Sequence, residues 1–168
     1  MSRIVDDMNN NSTTSLHLHN AVEECHHELL QRLLDLHPPV NKTDALGETA
    51  LHRAVRKDCL FCVEYLLRAG ADPQLATAHG WSPLMLAARY GYDVVAEKLI
   101  QAGGEVNARG FHGWTALHLA HSFEHSAMGR ILKDAGADEN VADNDGVKAK
   151  EAFCKRKGWG VMATRPLL

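Results

Sequence analysis

Apolar residues along this chain follow neither one long helical period nor the alternation of strands. They come in a compound pattern. Leu51 and Ala54 form a narrow stripe behind Thr49, and Cys62, Val63, Leu66 and Leu67 form a broader one ahead of Gly70. The first stripe predicts a short helix, with Thr49 placed to accept from a backbone N–H at its start. The second predicts an amphipathic helix closed by a left-handed glycine. Leu84, Ala87 and Ala88, then Val95, Leu99 and Ile100, then Gly103 repeat the pattern, with Pro83 at a first helical position where a missing N–H costs nothing. Leu117 and Ala120, then Ile131 and Leu132, then Gly136 repeat it again.

The turns ahead of these stripes carry Gly47, Gly80, Gly113 and Gly146, each 33 residues after the last. A fixed period of this size signals stacked units rather than one globular core. Counting back from Leu51, His52 and Ala54 lands on Leu18, His19 and Ala21, so a first unit lies in the same frame without its turn. Leu29, Leu30, Leu33 and Leu34 supply its second helix, and His37-Pro38-Pro39 stops it. The expected organisation is a mobile polar lead-in over 1–14 and a repeat domain over 15–157. Its units are 15–43 as N-terminal cap, 44–76, 77–109, 110–142 and 143–157 as C-terminal cap, with a tail over 158–168. The fourth unit is expected to be the weakest full one, since Gly129 interrupts its second helix and Lys133 replaces an apolar residue. In the last unit Ala149, Ala152 and Phe153 keep the stripe, and Lys148, Lys150, Lys155, Arg156 and Lys157 make its outer face polar. That cluster suits a solvated cap face better than an import or docking signal.

Composition narrows the function. The chain has 168 residues, 45% of them hydrophobic, and a net charge of -3. It lacks the basic field that phosphate-backbone binding needs, and no apolar run approaches a membrane span. The N-terminal stretch has no signal core, and Asp6 and Asp7 oppose a transit peptide, so the cytoplasm is the expected location, with the nucleus as second choice. Cys25, Cys59, Cys62 and Cys154 read as reduced thiols. Cys59-x-x-Cys62 is a fragment of a zinc or redox motif, but no second Cys or His pair stands at matching spacing, and Cys62 occupies a core position. No metal site, cofactor, nucleotide loop or catalytic triad is therefore expected. His121 and His125 fall across a bend between two helices and cannot share a helix face, and His26-His27 lies at the corresponding bend of the first unit.

The unit resembles the ankyrin repeat, whose pattern is approximately D-x-x-G-x-T-P-L-H-x-A-A, a second helix ending in L-L, then G-A-D-x-N. The match runs through Asp44, Gly47, Thr49, Leu51, His52, Ala54, Leu66, Leu67, Gly70, Ala71 and Asp72, and recurs in the two following units up to Asn140. The resemblance implies an all-α ankyrin-repeat solenoid of four to five helix-turn-helix units with short β-hairpin-like turns. It also implies a concave groove that binds proteins, and no catalysis. Three departures stand out. Asp58 and Glu124 replace the glycine seen as Gly91, so those turns are expected to be strained or altered, and Met85 replaces the interior histidine. Asn107 and Asn140 hold the asparagine position that hydroxylases modify in some repeats, although a structural role is the stronger reading.

The resemblance places Ala45, Leu46, Glu48, Arg56 and Lys57, then Ala78, His79, Trp81, Arg89 and Tyr90, then Phe111, His112, Trp114, Ser122 and Phe123 at the hairpins or on the groove side. Five of the chain's ten Phe, Tyr and Trp residues are in this set. Aromatic residues with arginine anchor interfaces. The candidate partner-binding residues are thus Trp81, Trp114, Tyr90, Phe111, Phe123, His79, His112, Arg56, Lys57 and Arg89. For Trp81 and Trp114 a second role stays open, packing along their own hairpin and the next unit. The expected function is a protein-binding adaptor, inhibitor or assembly factor, with a permanent structural subunit of a cytosolic or cytoskeletal assembly as the alternative. Expected partners are proteins, not nucleic acid, membrane or a small-molecule substrate.

Overall fold

The structure, a computed structural model, describes residues 11–152. Residues 1–10 of the expected lead-in, Phe153 to Lys157 of the last unit, and the tail lie outside the described residues. Among the described residues eight α-helices follow in four pairs: α1 Asn11–Glu23 and α2 His27–Leu34, α3 Ala50–Arg56 and α4 Leu60–Arg68, α5 Pro83–Tyr90 and α6 Asp93–Gln101, α7 Ala116–Ser122 and α8 Ser126–Asp134. The first helix starts four residues earlier than the apolar pattern predicts. Within the described residues the final unit contributes a 3-10 turn, Ala149–Glu151. No helix among the described residues is long and apolar enough to cross a membrane.

Successive inner helices α1, α3, α5 and α7 pack side by side, and the last turn packs on α7. The outer helices α2, α4, α6 and α8 form a second layer in the same way. Two leucine ladders run through the stack at the repeat spacing. Leu18, Leu51, Leu84 and Leu117 line the inner layer, and Leu33, Leu66, Leu99 and Leu132 the outer one, all buried. Burying one such side chain contributes about 1.5–3 kcal/mol. No unit can bury its own ladder residue alone, so stacking and stability are the same event.

Polar groups set the register between units. Thr49 caps α3, and its backbone N–H donates to His52 Nδ1 at 3.1 Å. That arrangement assigns the ring proton to Nε2, which donates to the Trp81 carbonyl of the next unit at 3.0 Å. His118 repeats the arrangement through Thr115 to the Val147 carbonyl, and His19 Nε2 lies 3.0 Å from the Glu48 carbonyl. Asn107 clamps the opposite edge. Its side-chain amide donates to the Gly136 carbonyl, and its oxygen accepts from the Asp138 N–H. Asn41 makes the matching pair of bonds to Gly70 and Asp72.

The third hairpin departs from the others. In its neighbours a side chain holds the turn: Asp44 Oδ1 accepts from the Leu46 and Glu48 N–H groups, Thr77 Oγ1 from Trp81, and Asp143 Oδ1 from Asp145 and Val147. Gly110 stands at that place and offers no acceptor. A Cβ there would collide with the Gly80 carbonyl and the Met85 sulfur. The Trp114 N–H turns instead to the Phe111 carbonyl at 3.0 Å, and His112 takes φ 54 to allow it. Met85, which cannot bridge units as histidine does, is thus accommodated by losing the side chain opposite.

The bends between paired helices keep the left-handed conformation without glycine, which strains the turns at Asp58 and Glu124. Cys25, Asp58 and Glu124 all take positive φ (53, 52 and 63), where the equivalent residue of the third unit is glycine. The left-handed region costs a non-glycine residue about 1–2 kcal/mol.

Two stability predictions follow from these contacts. Burial holds the His52 pKa down to about 4 against the pull of its Trp81 hydrogen bond, and His118 shifts in the same direction for the same reason. The unfolded chain therefore binds more protons between about pH 6.5 and 4, and stability falls as pH falls through that window. For His52 the loss is on the order of 3 kcal/mol, at about 1.4 kcal/mol per pH unit of displacement. Urea melts at stepped pH should show this slope, and His52→Met, the third unit's own solution, should flatten it. The fourth unit should respond to two opposite glycine changes. At Gly129 an added Cβ meets only ordinary contact with His121 at 3.4 Å. Gly129→Ala and Glu124→Gly should each stabilise by up to about 1 kcal/mol, seen as raised urea midpoints.

Candidate protein-binding face

The groove side is built from the C-terminal ends of the inner helices and from the hairpins that precede them. At the first junction it is charged. Arg56 Nη1 meets Glu48 Oε1 at 2.6 Å, Arg53 Nη2 meets Asp44 Oδ2 at 2.8 Å, and Lys57 Nζ meets Glu23 Oε1 of the preceding unit at 2.8 Å. Burial pushes the Asp44 carboxyl up, but Arg53 and the backbone N–H groups of Glu48 and Leu46 outweigh it and hold it below its usual value. Glu23 is also held low, chiefly by the Lys57 hydrogen bond. The Glu48 side chain is only 7% exposed and lies against both Arg53 and Arg56. Of the expected contact residues, Lys57 thus ties unit two to unit one, while Arg56 is engaged by Glu48 within unit two.

Further along, the face turns aromatic, and Arg89 organises it. Its guanidinium lies 5.4 Å from the Trp81 ring, 5.9 Å from Tyr90 and 5.3 Å from Phe123, all within cation–π range. Phe111 stacks on Trp81 at 6.0 Å, and His112 meets the Phe111 edge at 4.1 Å. Tyr90 stacks on Tyr92, and Phe123 on His125. His125 Nε2 donates to the Arg89 carbonyl at 3.0 Å, which holds the end of α5 against the bend of the fourth unit. The rings and Arg89 form one continuous surface across units three and four.

Exposure sorts the expected residues. Phe111 is 43% exposed and Tyr90 37%. His79, His112 and the neighbouring Leu46 are exposed, and Arg89 and Phe123 are half-buried. Trp81 is the correction, at 5% exposed. Its ring fills the space under Phe111 and Arg89 while its carbonyl takes the His52 bond, so it supports the face without presenting itself. Trp114 is half-buried, and its indole N–H donates to Asp143 Oδ2 at 3.2 Å, which ties it to the next hairpin. Of the two roles open to the tryptophans, packing describes Trp81 and most of Trp114.

One cluster escaped the sequence reading. His27 Nε2 lies 3.4 Å from Cys59 Sγ, and Cys59 Sγ lies 2.7 Å from Cys62 Sγ. All three ligand-type atoms fall within 4.8 Å of one another. Sequence spacing offers no second Cys or His pair to Cys59-x-x-Cys62. The stacked bends supply His27 from the preceding unit instead. The repeat frame carried the signal, because bends one period apart become neighbours and His27 and Cys59 are 32 residues apart.

Comparison with known proteins matches the geometry. The chain is 41% identical to Notch-regulated ankyrin repeat-containing protein B of Danio rerio over 70 residues, 41% of this chain and 63% of that protein. It is 40% identical to the potassium channel AKT1 of Oryza sativa subsp. indica over 80 residues, 48% of this chain and 9% of the channel. It is 37% identical to the nuclear factor NF-kappa-B p105 subunit of Gallus gallus over 84 residues, 46% of this chain and 8% of that subunit. The chain spans less than two thirds of the length of each of these relatives. The family described as ankyrin repeats in three copies matches residues 3–77 and 62–143. Given the stacked helix pairs, the bridging histidines and these matches, the chain belongs to the ankyrin repeat family, whose members are in general protein–protein interaction modules.

Proposed function

We propose that this chain is a non-catalytic cytoplasmic binding module that captures a partner protein on the aromatic face of units two to four. The observation that carries the reading is the continuous run Phe111, Trp81, Arg89, Tyr90 and Phe123, with its two outermost rings left open. Exposed aromatic rings backed by a buried ring and an arginine are what an interface anchor requires, because little side-chain entropy is lost when they are covered. His79, His112 and Leu46 extend the surface toward the hairpins. Trp114 and the paired Arg56 and Lys57 border it. The partner chemistry that fits is an apolar or aromatic side chain seated between Phe111 and Tyr90, with an acceptor for the Arg89 guanidinium.

The test is a double substitution of exposed residues only, Tyr90→Ala with Phe111→Ala. Wild-type chain used as bait should capture a partner that the variant loses. Affinity for that partner, once purified, should fall at least about 30-fold, since two anchors contribute roughly 2 kcal/mol or more. The melting temperature should stay within error of wild type. Equal capture by both chains would exclude this face as the binding surface.

A further inference from the structure

We propose that His27, Cys59 and Cys62 form a binding site for one thiophilic divalent metal ion, best matched by Zn2+, at the bend between the first two units. Three soft or borderline ligand atoms converge from two units, with His27 Nε2 3.4 Å from Cys59 Sγ and every pair within 4.8 Å. In a tetrahedral site with metal–sulfur bonds near 2.3 Å, ligand atoms sit roughly 3.5–3.8 Å apart. The His27–Cys59 edge already has that length. The two sulfurs, at 2.7 Å, need to part by roughly 1 Å, and Cys59 is the half-exposed member that can turn.

The surroundings prepare these ligands. Cys59 is the N-cap of α4, and its sulfur accepts the Cys62 N–H at 3.3 Å. The His27 ring packs on Phe61 at 4.3 Å, and Phe61 stacks on Tyr65 at 4.2 Å. The imidazole is therefore oriented by an aromatic column before any ion arrives. Burial and the neighbouring Cys59 sulfur push the Cys62 thiol pKa up. A bound cation deprotonates a coordinating thiol outright, so burial does not bar Cys62 from coordinating. A third, nitrogen ligand has no part in a simple dithiol switch, so the cluster favours metal over redox chemistry. On binding, Cys59 and Cys62 each release one proton to solvent, and no electron moves. With three protein ligands, a water would complete a four-coordinate site.

The experiment uses the untagged full chain, reduced and stripped of metal, with Co2+ as the spectroscopic probe and Zn2+ as competitor. About one equivalent of Co2+ should give a thiolate charge-transfer band and the visible bands of a tetrahedral site. Zn2+ should bleach both and raise the melting temperature. His27→Ala and Cys59→Ser lie on the exposed side of the cluster, and circular dichroism checks that they fold. Each should weaken Zn2+ binding at least tenfold. The proposal is overturned if the reduced wild-type chain gives no thiolate–cobalt band, or if His27→Ala binds as wild type does. It is equally overturned if Cys59 and Cys62 form a disulfide in air and take up no metal after reduction.

Discussion

A neutral imidazole bridging two units is the interaction on which the stack depends. Each ring at this position reads its own helix start through Nδ1 and the neighbouring hairpin through Nε2. Both groups it serves are buried backbone polar atoms, which cost about 1–3 kcal/mol each if left unmet. A protonated ring would have a donor at Nδ1 facing another donor. The same burial that makes the bond strong therefore makes the ring resist protonation and couples the fold to acid.

The unit without this histidine carries most of the binding face. Met85 cannot make the bridge, and Gly110 yields the space that the sulfur occupies. The hairpin then loses its side-chain acceptor and closes through the Phe111 carbonyl. Phe111 and His112 stand out from the surface as a consequence, one stacked on Trp81 and the other set against its edge. Relaxing one scaffold contact thus produced the exposed Phe111 ring where the other hairpins carry Ala45, Ala78 and Asn144.

The two halves of the stack hold together differently. Units one and two are joined by the ion pairs of Glu23 with Lys57 and Arg53, beside pairs of Asp44 and Glu48 with Arg53 and Arg56 inside unit two, where Arg53 Nε and Glu48 Oε2 face each other at 3.9 Å without a hydrogen bond. Units three and four share rings around Arg89. Salt and pH act on the first junction, whereas apolar burial dominates the second. A surface assembled from residues that also seal a unit boundary links partner binding to the stability of that boundary.

Much of this architecture was legible in the chain alone. A strict period places the leucines of both ladders, the capping threonines and the turn glycines, because each depends on contacts within its own unit or on a neighbour at a constant offset. The chain alone also pointed to the groove set, since Tyr90, Phe111 and Arg89 are superfluous to the repeat. Depth was not legible: whether a tryptophan after a turn glycine lies on the surface or under it depends on what the next hairpin puts above it. Phe111 and Arg89 cover Trp81, while Asp143 draws Trp114 sideways. Only packing could decide that Arg56 and Lys57 are spent on ion pairs, or that His27 comes to the sulfurs of Cys59 and Cys62. Those outcomes rest on side chains from different units meeting in space, and a linear pattern gives their neighbourhood without their orientation.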